Sequence, residues 1–338
     1  MYGGKTVGVV VPAYNEERFV GDVLDSLPDF VDRVYAVDDA STDATWDEIR
    51  DHATVERAPR TDAATGEADE TPLRADGDGG TVVAIRHERN RGAGGAIKTG
   101  YLAARDDGVD VTVTIDADGQ MDPAMMTQFL DPVVAGDADY AKGDRLATPE
   151  FREGMPRFRL AGNWLLTGLT WIASGYWDVT DPQNGYTAIS LDALEAVDVE
   201  ELYEYYGYCN DLLVKLNVAG MSVVDVPMPA SYGDEQSSID YGGYVPKVSL
   251  MLLRNFVWRL RTRYRSHPAG LAYALALLGA VAVLLRAVVA VALALAGSDS
   301  SEETSDADDS SGRRFPLSLV ATVVGLVAGV VLDRRNQP

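Results

Sequence analysis

The chain has little cysteine, little histidine and few basic residues, and each shortage excludes a kind of chemistry. Cys209 is the single cysteine among 338 residues, so no intrachain disulfide can form and a catalytic region in the reducing cytoplasm is the simpler inference. The three histidines, His52, His87 and His267, lie far apart without the spacing of metal ligands. The sequence therefore argues against a disulfide scaffold and against zinc chemistry.

Acidic residues outnumber basic ones: the chain has 52 Asp and Glu against 29 Lys and Arg, a formal net charge of −23. Such a chain offers no broad basic face to a phosphate backbone, so nucleic acid is not an expected partner. Because 46% of the residues are hydrophobic, we expect the acidic excess on a folded surface rather than in a disordered tail. We interpret it as adaptation to the high salt of a halophile, where screening suppresses self-repulsion.

The first half of the chain alternates between strand-like and helix-like segments. Its opening residues lack the apolar segment and cleavage site of a signal peptide and lead directly into a strand. We predict strands at residues 7–11, 34–37, 82–85 and 111–115, with helices at about 20–27, 46–50 and 96–104. This alternation predicts an α/β fold, a doubly wound and mostly parallel sheet with helices on both faces. The stretch 57–80 has almost no large apolar residue, and we expect a flexible acidic insertion there, without an assigned role.

The last predicted strand is followed by the run Asp-Ala-Asp-Gly-Gln at residues 116–120. In an open α/β sheet the carboxyl ends of the strands border the ligand crevice. Mg²⁺ is commonly held by one or two carboxylates together with substrate phosphates and waters, so Asp116 and Asp118 indicate a metal and a phosphate-bearing substrate. In a chain this acidic, the alternative is a solvated acidic turn.

Three further strand ends carry polar motifs. In chain order, the four motifs are Pro12-Ala13-Tyr14-Asn15-Glu16, Asp38-Asp39-Ala40-Ser41-Thr42-Asp43, Asn90-Arg91-Gly92 and Asp116-Ala117-Asp118. They resemble the P-x-Y-N-E, D-D-x-S-x-D, N-x-G and D-x-D signatures of family 2 glycosyltransferases with the GT-A fold, over about residues 5–240. Four motifs in this order outweigh the acidic-turn alternative. A dinucleotide fingerprint at Gly92 and Gly94 is excluded, because Ile97 stands where the third glycine belongs.

The resemblance implies a site for a nucleoside diphosphate sugar together with Mg²⁺ or Mn²⁺. The base and ribose would be surrounded by Pro12, Tyr14, Glu16, Val37 and Asp39. The diphosphate and metal would be held by Asp116, Ala117, Asp118 and Gln120, with Asp116, Asp118 and Gln120 as metal ligands. Arg145 would point the N–H donors of its guanidinium group toward phosphate. A strand-terminating turn is the alternative role for Pro12 and Tyr14, and a plain surface ion pair is the alternative for Arg145.

Two later segments resemble parts of polyprenyl-phosphate sugar synthases in the same family. Residues 181–186 match their D-P-x-x-G-[FY] acceptor loop, and residues 224–239 resemble the loop that closes their active site. The implied acceptor contacts are Gln183, Asn184, Gly185 and Ser237. The chain departs from the family at Cys209, where Glu is frequent, and at residues 238–239, where a basic residue is frequent. Acceptor contacts at those two points therefore do not carry over.

The chemistry of the acceptor decides the expected role of Asp211. A sugar hydroxyl needs a general base, whereas a lipid monophosphate with a second pKa of about 6 is already mostly dianionic at neutral pH. Asp211 could be that base. With a phosphate acceptor it would instead be a positioning residue, which we favour because it lies in a helix-like run.

The C-terminal part is strongly apolar at residues 270–296 and 316–332, about the length that a bilayer requires. We predict a transmembrane hairpin over 269–338, with a buried soluble hairpin as the alternative. Arg286 would face the partner span, a lipid head group or a thinned bilayer. Basic residues flank the two spans, at Arg254, Arg259, Arg261, Arg263, Arg265, Arg334 and Arg335. The positive-inside rule then places both ends in the cytoplasm.

Together these features predict a catalytic domain over 1–235, an amphipathic basic juxtamembrane segment over 236–268 that lies against membrane lipid, and the hairpin. We expect an inverting, metal-dependent glycosyltransferase in the cell membrane. It would move a hexose from a nucleoside diphosphate donor to dolichyl or polyprenyl phosphate at the cytoplasmic face. The alternatives are transfer to a hydroxyl of a lipid-linked glycan and a catalytically inactive membrane scaffold of the same fold.

Overall fold

A computed structural model describes residues 1–53, 73–75, 81–148, 151, 157–229, 241–265, 267–296 and 317–338. The chain divides into two compact units, Met1–Phe256 together with Pro338, and Val257–Gln337. Most of the insertion predicted at 57–80 lies outside the described residues. The same holds for Ser237 and for most of the predicted closing loop.

In the residues that the structure describes, the first unit is built on one sheet of eight strands. They are β1 (Val7–Ala13), β2 (Arg33–Asp38), β3 (Leu73–Ala75), β4 (Thr81–Arg86), β5 (Val111–Thr114), β6 (Tyr140–Asp144), β7 (Thr187–Ser190) and β8 (Val223–Pro227). The strand order is β3-β4-β2-β1-β5-β7-β6-β8. Strands β4, β2, β1 and β5 are adjacent and parallel, whereas β3 and β7 pair antiparallel with their neighbours. All four polar motifs therefore follow parallel strands and meet at one edge of the sheet.

Helices cover both faces of this sheet. They are α1 (Val20–Asp25), α2 (Thr45–His52), α3 (Ala93–Asp106), α4 (Met126–Val134), α5 (Arg157–Ser174), α6 (Leu191–Ala196) and α7 (Tyr208–Ala219). Successive side chains of a strand point to opposite faces. Val9 and Val11 accordingly join a core cluster with Phe129 of α4, while Val10 joins a second cluster with Tyr101 of α3. The predicted α/β fold with a mostly parallel sheet is confirmed.

The observed elements extend the predicted ones by one to three residues at most ends. The first strand continues through Pro12 to Ala13, because both residues still pair with β2. Within the stretch where we assigned no structure, Leu73–Ala75 form a short edge strand against β4. The amphipathic pattern there is too short to be read from the sequence.

The second unit contains α9 (Pro268–Ala296) and α10 (Leu317–Arg334), after the end of α8 (Tyr241–Arg263). Both α9 and α10 include segments long and apolar enough to cross a membrane. Their large apolar side chains are mostly exposed, with Leu271 and Leu278 about two-thirds exposed at 69% and 68%, which a buried soluble hairpin would not show. A β-carbon at Gly325 would lie 2.7 Å from the carbonyl oxygen of Ala272, so small residues bring the two helices into backbone contact.

A fully buried ion pair joins three helices of this second unit. The Arg259 guanidinium of α8 donates to both carboxylate oxygens of Asp333 on α10, at 3.0 and 2.7 Å. The hydroxyls of Tyr264 and Tyr273 donate to the same carboxylate at 2.6 and 3.0 Å. Arg286, expected to face the partner span, reaches Ser318 Oγ of α10 at 3.5 Å. Arg259, expected to be one of the flanking charges, is therefore a buried structural residue.

Candidate active site

The loop after β1 is held by the loop after β2, and this presents Tyr14. The backbone N–H of Asn15 donates to Ser41 Oγ at 2.9 Å, and the Asn15 side chain accepts from Thr42 N–H at 2.8 Å. The Glu16 N–H donates to Thr45 Oγ1 at 2.7 Å. Asn15 itself has a φ of 59°, a left-handed conformation that asparagine tolerates better than most residues. Tyr14 is left half exposed and Glu16 half-buried at the edge of the sheet.

The two aspartates after β2 have separate partners. The buried carboxylate of Asp38 accepts from Ser41 N–H at 3.0 Å and lies 3.1 Å from the Arg86 guanidinium. Asp39 is also buried, and its carboxylate accepts from the backbone N–H groups of Arg91 and Gly92 at 2.8 and 2.7 Å and from His87 Nδ1 at 2.7 Å. Val37, also expected near the nucleotide, is a fully buried strand residue.

The glycine-rich loop at the start of α3 packs against the segment before α7. The N–H of Gly95 donates to the carbonyl of Glu204 at 2.8 Å. A β-carbon at Gly94 would clash with the carbonyl oxygen of Tyr203 and lie 2.8 Å from the carbonyl carbon of Glu204. These glycines are required for close backbone packing, a role that the sequence pattern did not reveal.

Asp116 and Asp118 lie close together at the carboxyl end of β5, in a partly buried position. Burial raises the pKa of Asp116 to about 7, the charge of Asp118 adds to this effect, and Arg145 opposes it. Burial also raises the pKa of Asp118, although the N–H of Gln120 donates to its carboxylate at 2.9 Å. Two carboxylates that disfavour each other's charge are suited to a divalent cation.

The donor set fits Mg²⁺ or Mn²⁺ better than zinc. Among the described residues, no group of three His, Cys, Asp or Glu side chains is placed to hold a metal. Two carboxylates, with the remaining positions taken by phosphate oxygens and water, match the usual Mg²⁺ arrangement. Ala117 is buried between the two aspartates, and Gln120 contributes its backbone N–H to the turn.

Arg145 is held by Asp181, the first residue of the predicted acceptor loop. Its Nε and Nη2 donate to the two Asp181 oxygens at 2.7 and 3.1 Å, and its backbone N–H donates at 3.2 Å. Burial alone would raise the pKa of Asp181, but the charge and hydrogen bonds of Arg145 outweigh burial and lower it. Because Asp181 is buried, this is not a plain surface ion pair. Lys142 donates to the Asp181 carbonyl and lies 3.5 Å from Asp225, which ties the loop to the sheet.

The acceptor loop approaches the paired aspartates. A β-carbon at Gly185 would lie 3.3 Å from Oδ2 of Asp116. Asn184 is buried, and its side chain accepts from Tyr186 N–H at 2.9 Å and contacts Met228 Sδ at 3.2 Å. Gln183 is half-buried, and its Nε2 has no hydrogen-bond partner among the described residues. Of the predicted acceptor residues, Gly185 lies beside Asp116, and the Asn184 side chain is hydrogen-bonded within the loop; their part in acceptor binding stays a prediction.

Asp211 on α7 is almost fully buried, and both of its oxygens are engaged. Oδ2 accepts from Tyr203 N–H at 3.0 Å, and Oδ1 accepts from Asn255 Nδ2 at 2.5 Å. Burial raises its pKa, and Lys215 opposes the rise. Cys209 is a buried thiol whose pKa is raised to about 12 by burial. Neither residue has the exposure expected of a general base.

Comparison with known proteins agrees with this fold. The family model described as glycosyl transferase family 2 matches residues 8–197. A UDP-N-acetylglucosamine–dolichyl-phosphate N-acetylglucosaminyltransferase from Methanococcus voltae is 30% identical over 68% of this chain and 86% of its own length. A polyprenol monophosphomannose synthase from Mycolicibacterium smegmatis is 31% identical over 65% of this chain and 75% of its own length.

Solved structures share the fold. Glucosyl-3-phosphoglycerate synthase from Mycobacterium tuberculosis, crystallised with Mn²⁺, UDP-glucose and phosphoglyceric acid, gives a TM-score of 0.52 at 20% identity. The match covers 75% of this chain and 80% of that chain. With four motifs at one sheet edge and a family match over more than half of its length, the chain belongs to glycosyl transferase family 2 and is a glycosyltransferase.

Proposed function

We propose that this protein transfers a hexose from a nucleoside diphosphate sugar to dolichyl or polyprenyl phosphate, with inversion and with Mg²⁺ or Mn²⁺. The observation that carries the proposal is the approach of the acceptor loop to the D-x-D turn at Gly185 and Asp116, where a β-carbon would lie 3.3 Å from a carboxylate oxygen. A residue expected to hold the diphosphate and a residue expected to contact the acceptor thus lie next to each other.

The named relatives support a lipid phosphate as the acceptor. The Methanococcus protein is named for transfer to dolichyl phosphate, and the Mycolicibacterium protein for a polyprenol monophosphomannose product. An undecaprenyl-phosphate mannosyltransferase from Micrococcus luteus is 28% identical over 78% of this chain and 97% of its own length. Two apolar helices suit such an acceptor, because they would keep the enzyme at the membrane that contains it.

In the proposed reaction an oxygen of the acceptor phosphate attacks the anomeric carbon of the sugar. The bond from that carbon to the diphosphate breaks on the opposite side, and the nucleoside diphosphate leaves with the electron pair. Asp116 and Asp118 are the residues that would hold the cation, and when bound it would offset charge on the departing diphosphate. Arg145, fixed by Asp181, contributes positive charge beside Asp116.

A phosphate acceptor also agrees with the state of Asp211. A phosphate monoester is mostly dianionic at neutral pH and needs no proton removed. Asp211 has both oxygens committed to Tyr203 and Asn255, so it is suited to hold the segment before α7 and the helix α8 in place. We assign it a positioning role in preference to a general base.

The two C-terminal helices complete the proposal as a membrane hairpin with both ends in the cytoplasm. Basic residues before the first helix and after the second support this orientation. The catalytic unit would then act at the cytoplasmic face, with residues 236–268 as a basic juxtamembrane segment beside anionic lipid.

The test uses the full chain in lipid nanodiscs with radiolabelled UDP- and GDP-hexoses, Mn²⁺, and either dolichyl phosphate or dolichol. We expect label in the lipid fraction with dolichyl phosphate, none with dolichol, and loss of transfer with EDTA. Asp118→Asn should abolish transfer, whereas the exposed control Asp137→Asn should retain it. Labelling of dolichol, or no lipid-soluble label with any donor, would overturn the proposal.

A further inference from the structure

His87 is a buried histidine that the sequence motifs do not include, and it lies inside the nucleotide end of the site. It follows β4 directly and is 2% exposed. Its Nδ1 lies 2.7 Å from Asp39 Oδ1, and its Nε2 lies 2.9 Å from Thr99 Oγ1 on α3. The ring therefore bridges the end of β2 and the first turns of α3.

The hydrogen bonds of Asp39 determine which ring nitrogen carries a proton. An ionised carboxylate only accepts, so Nδ1 of His87 must be the donor in this contact. Asp39 Oδ1 also accepts from Arg91 N–H, and Oδ2 accepts from Gly92 N–H. A carboxylate can accept about four hydrogen bonds. Three are supplied by the described residues, which leave one acceptor position on Oδ2 without a donor among them.

The other charged side chains around His87 have different partners. The Arg86 guanidinium lies 3.1 Å from Asp38 and 5.4 Å from the Trp46 ring centre. The Arg91 side chain donates to Glu204 at 3.0 Å. Within the described part of the chain, His87 supplies a side-chain hydrogen bond to the Asp39 carboxylate and helps to orient it, together with the backbone N–H groups of Arg91 and Gly92.

His87 also borders open space that a nucleoside could enter. A cavity of about 450 Å³ is lined by Ala40, Ser41, Arg86, His87 and Glu88. Ala40 has a φ of 61°, a conformation that is strained for a residue with a β-carbon. The strain is held in the loop that carries Asp39 into the site.

We propose that His87 is a positioning residue for the sugar-nucleotide donor. Its Nδ1–H fixes Asp39 Oδ1, so that Oδ2 presents its remaining acceptor position to an N–H or hydroxyl group of the donor's nucleoside. This inference rests on the proposed function for the identity of the ligand, whereas the contact between His87 and Asp39 stands by itself.

Two substitutions at His87 separate positioning from a merely structural role. Asn places an amide N–H close to where Nδ1 lies, so His87→Asn should keep the bond to Asp39. His87→Leu removes it. We expect His87→Leu to weaken binding of UDP or GDP with Mn²⁺ by about 10- to 100-fold, the effect of one hydrogen bond to a charged group. The kcat at saturating donor should change by less than about threefold, because the group that His87 orients contacts the nucleoside and not the reacting atoms.

His87→Asn should bind the nucleotide within about threefold of the unmodified protein. The control is His52→Leu, which removes a histidine on α2 that contacts the Glu48 carbonyl and Asp25; it should leave binding unchanged. Equal binding by folded His87→Leu and the unmodified protein, or no recovery in His87→Asn, would overturn the proposal.

Nitrogen NMR of the ligand-free chain tests the contact without any activity measurement. With three histidines in the sequence, the His87 signals are identified by their loss in His87→Asn. We expect a protonated Nδ1 that shifts in Asp39→Asn. An unprotonated Nδ1 would overturn the inference, even if the protein binds nucleotides. Conversely, a protonated Nδ1 in a chain that binds neither UDP nor GDP would place the failure in the proposed function.

Discussion

Arg145 donates two side-chain hydrogen bonds to the buried carboxylate of Asp181, at 2.7 and 3.1 Å. The pair joins the end of β6 to the first residue of the acceptor loop, 36 positions along the chain. It gives Arg145 a fixed direction beside Asp116, where a freely moving side chain would have to be ordered by the substrate.

Asp181→Asn should destabilise the fold and reduce transfer. The substitution removes the charge partner of an Arg145 that is 28% exposed, so we expect a loss of about 1–3 kcal/mol in the free energy of unfolding, below the range for a fully buried pair. The kcat should fall at least tenfold, because Arg145 loses its fixed position. Urea unfolding and steady-state transfer assays measure the two effects.

The matched control for Asp181 is Glu200→Gln, which breaks the exposed pair between Glu200 and Arg105. Exposed pairs contribute about 0–1 kcal/mol, so stability and transfer should stay close to normal. A stable and fully active Asp181→Asn protein would show that Arg145 does not depend on this contact.

Asp211→Asn should retain transfer within about tenfold of normal while lowering stability. One of the two donors that face Asp211, Tyr203 N–H or Asn255 Nδ2, would then meet an amide N–H instead of an oxygen, which costs about 1–3 kcal/mol for an unsatisfied buried group. Asn255→Ala should lower stability by a comparable amount, because it removes the donor of the hydrogen bond to Asp211 Oδ1. A folded Asp211→Asn protein with transfer reduced by several orders of magnitude would favour a general base and a hydroxyl acceptor.

Ionisation of Asp116 should lower the stability of the metal-free protein as pH rises from about 4 to about 7. The folded pKa of Asp116 is raised to about 7, above its unfolded value of about 3.9, so in this window the folded state binds more protons than the unfolded state. The sign of the linkage then makes ionisation of Asp116 destabilising, and the effect is complete above the folded pKa. In thermal unfolding with EDTA, the Tm of Asp116→Asn relative to the unmodified chain should therefore rise with pH across this window.

Added Mn²⁺ should reverse this trend, since it needs the ionised carboxylates. The increase in Tm on adding Mn²⁺ should be larger at pH 8 than at pH 6, and it should be small in Asp116→Asn. The exposed control Asp137→Asn should respond like the unmodified protein. An increase that is the same at both pH values would contradict a metal site at Asp116.

Asp333→Leu should destabilise the C-terminal unit by about 3–5 kcal/mol, because it leaves the buried Arg259 guanidinium without its charge partner. The double variant Arg259→Met/Asp333→Leu should recover part of this loss, since the uncompensated charge is removed as well. Thermal unfolding in detergent measures both, and Arg286→Leu, at an exposed position, is the control. A double variant less stable than Asp333→Leu would contradict this account.

The strands that carry the site, and the polar motifs at their ends, could be predicted because both are local sequence patterns. Short apolar runs predicted β1, β2, β4 and β5, and the polar residues that follow them had to share an edge because neighbouring strands are parallel. Pro12, Tyr14, Asp39 and Asp118 lie in these strand-end motifs, and their expected roles came from the resemblance of the motifs to family 2 glycosyltransferases. Their individual roles in binding stay predictions, as do the domain boundaries.

The partners of these residues could not be predicted, because they come from distant parts of the chain. The backbone N–H of Arg91 donates to Asp39 across 52 positions, and the Arg259 guanidinium pairs with Asp333 across 74. With 52 acidic and 29 basic residues, charge gives no indication of which carboxylate pairs with which cation. Gly94 is a further example. It must lack a side chain because the backbone of Tyr203 lies against it, and the sequence alone does not show that contact.

The sequence by itself determined the fold class, the sheet edge that carries the chemistry, and the apolar C-terminal helices, because hydrophobic period and strand-end residues are local properties. The tertiary structure decided which polar side chains remain available. In the folded chain, the side chains of Asp211, Asn184 and Arg259 form hydrogen bonds within the protein. Gly185 lies next to Asp116. Buried polar groups must find partners wherever the packed chain places them, and only the folded coordinates show those partners.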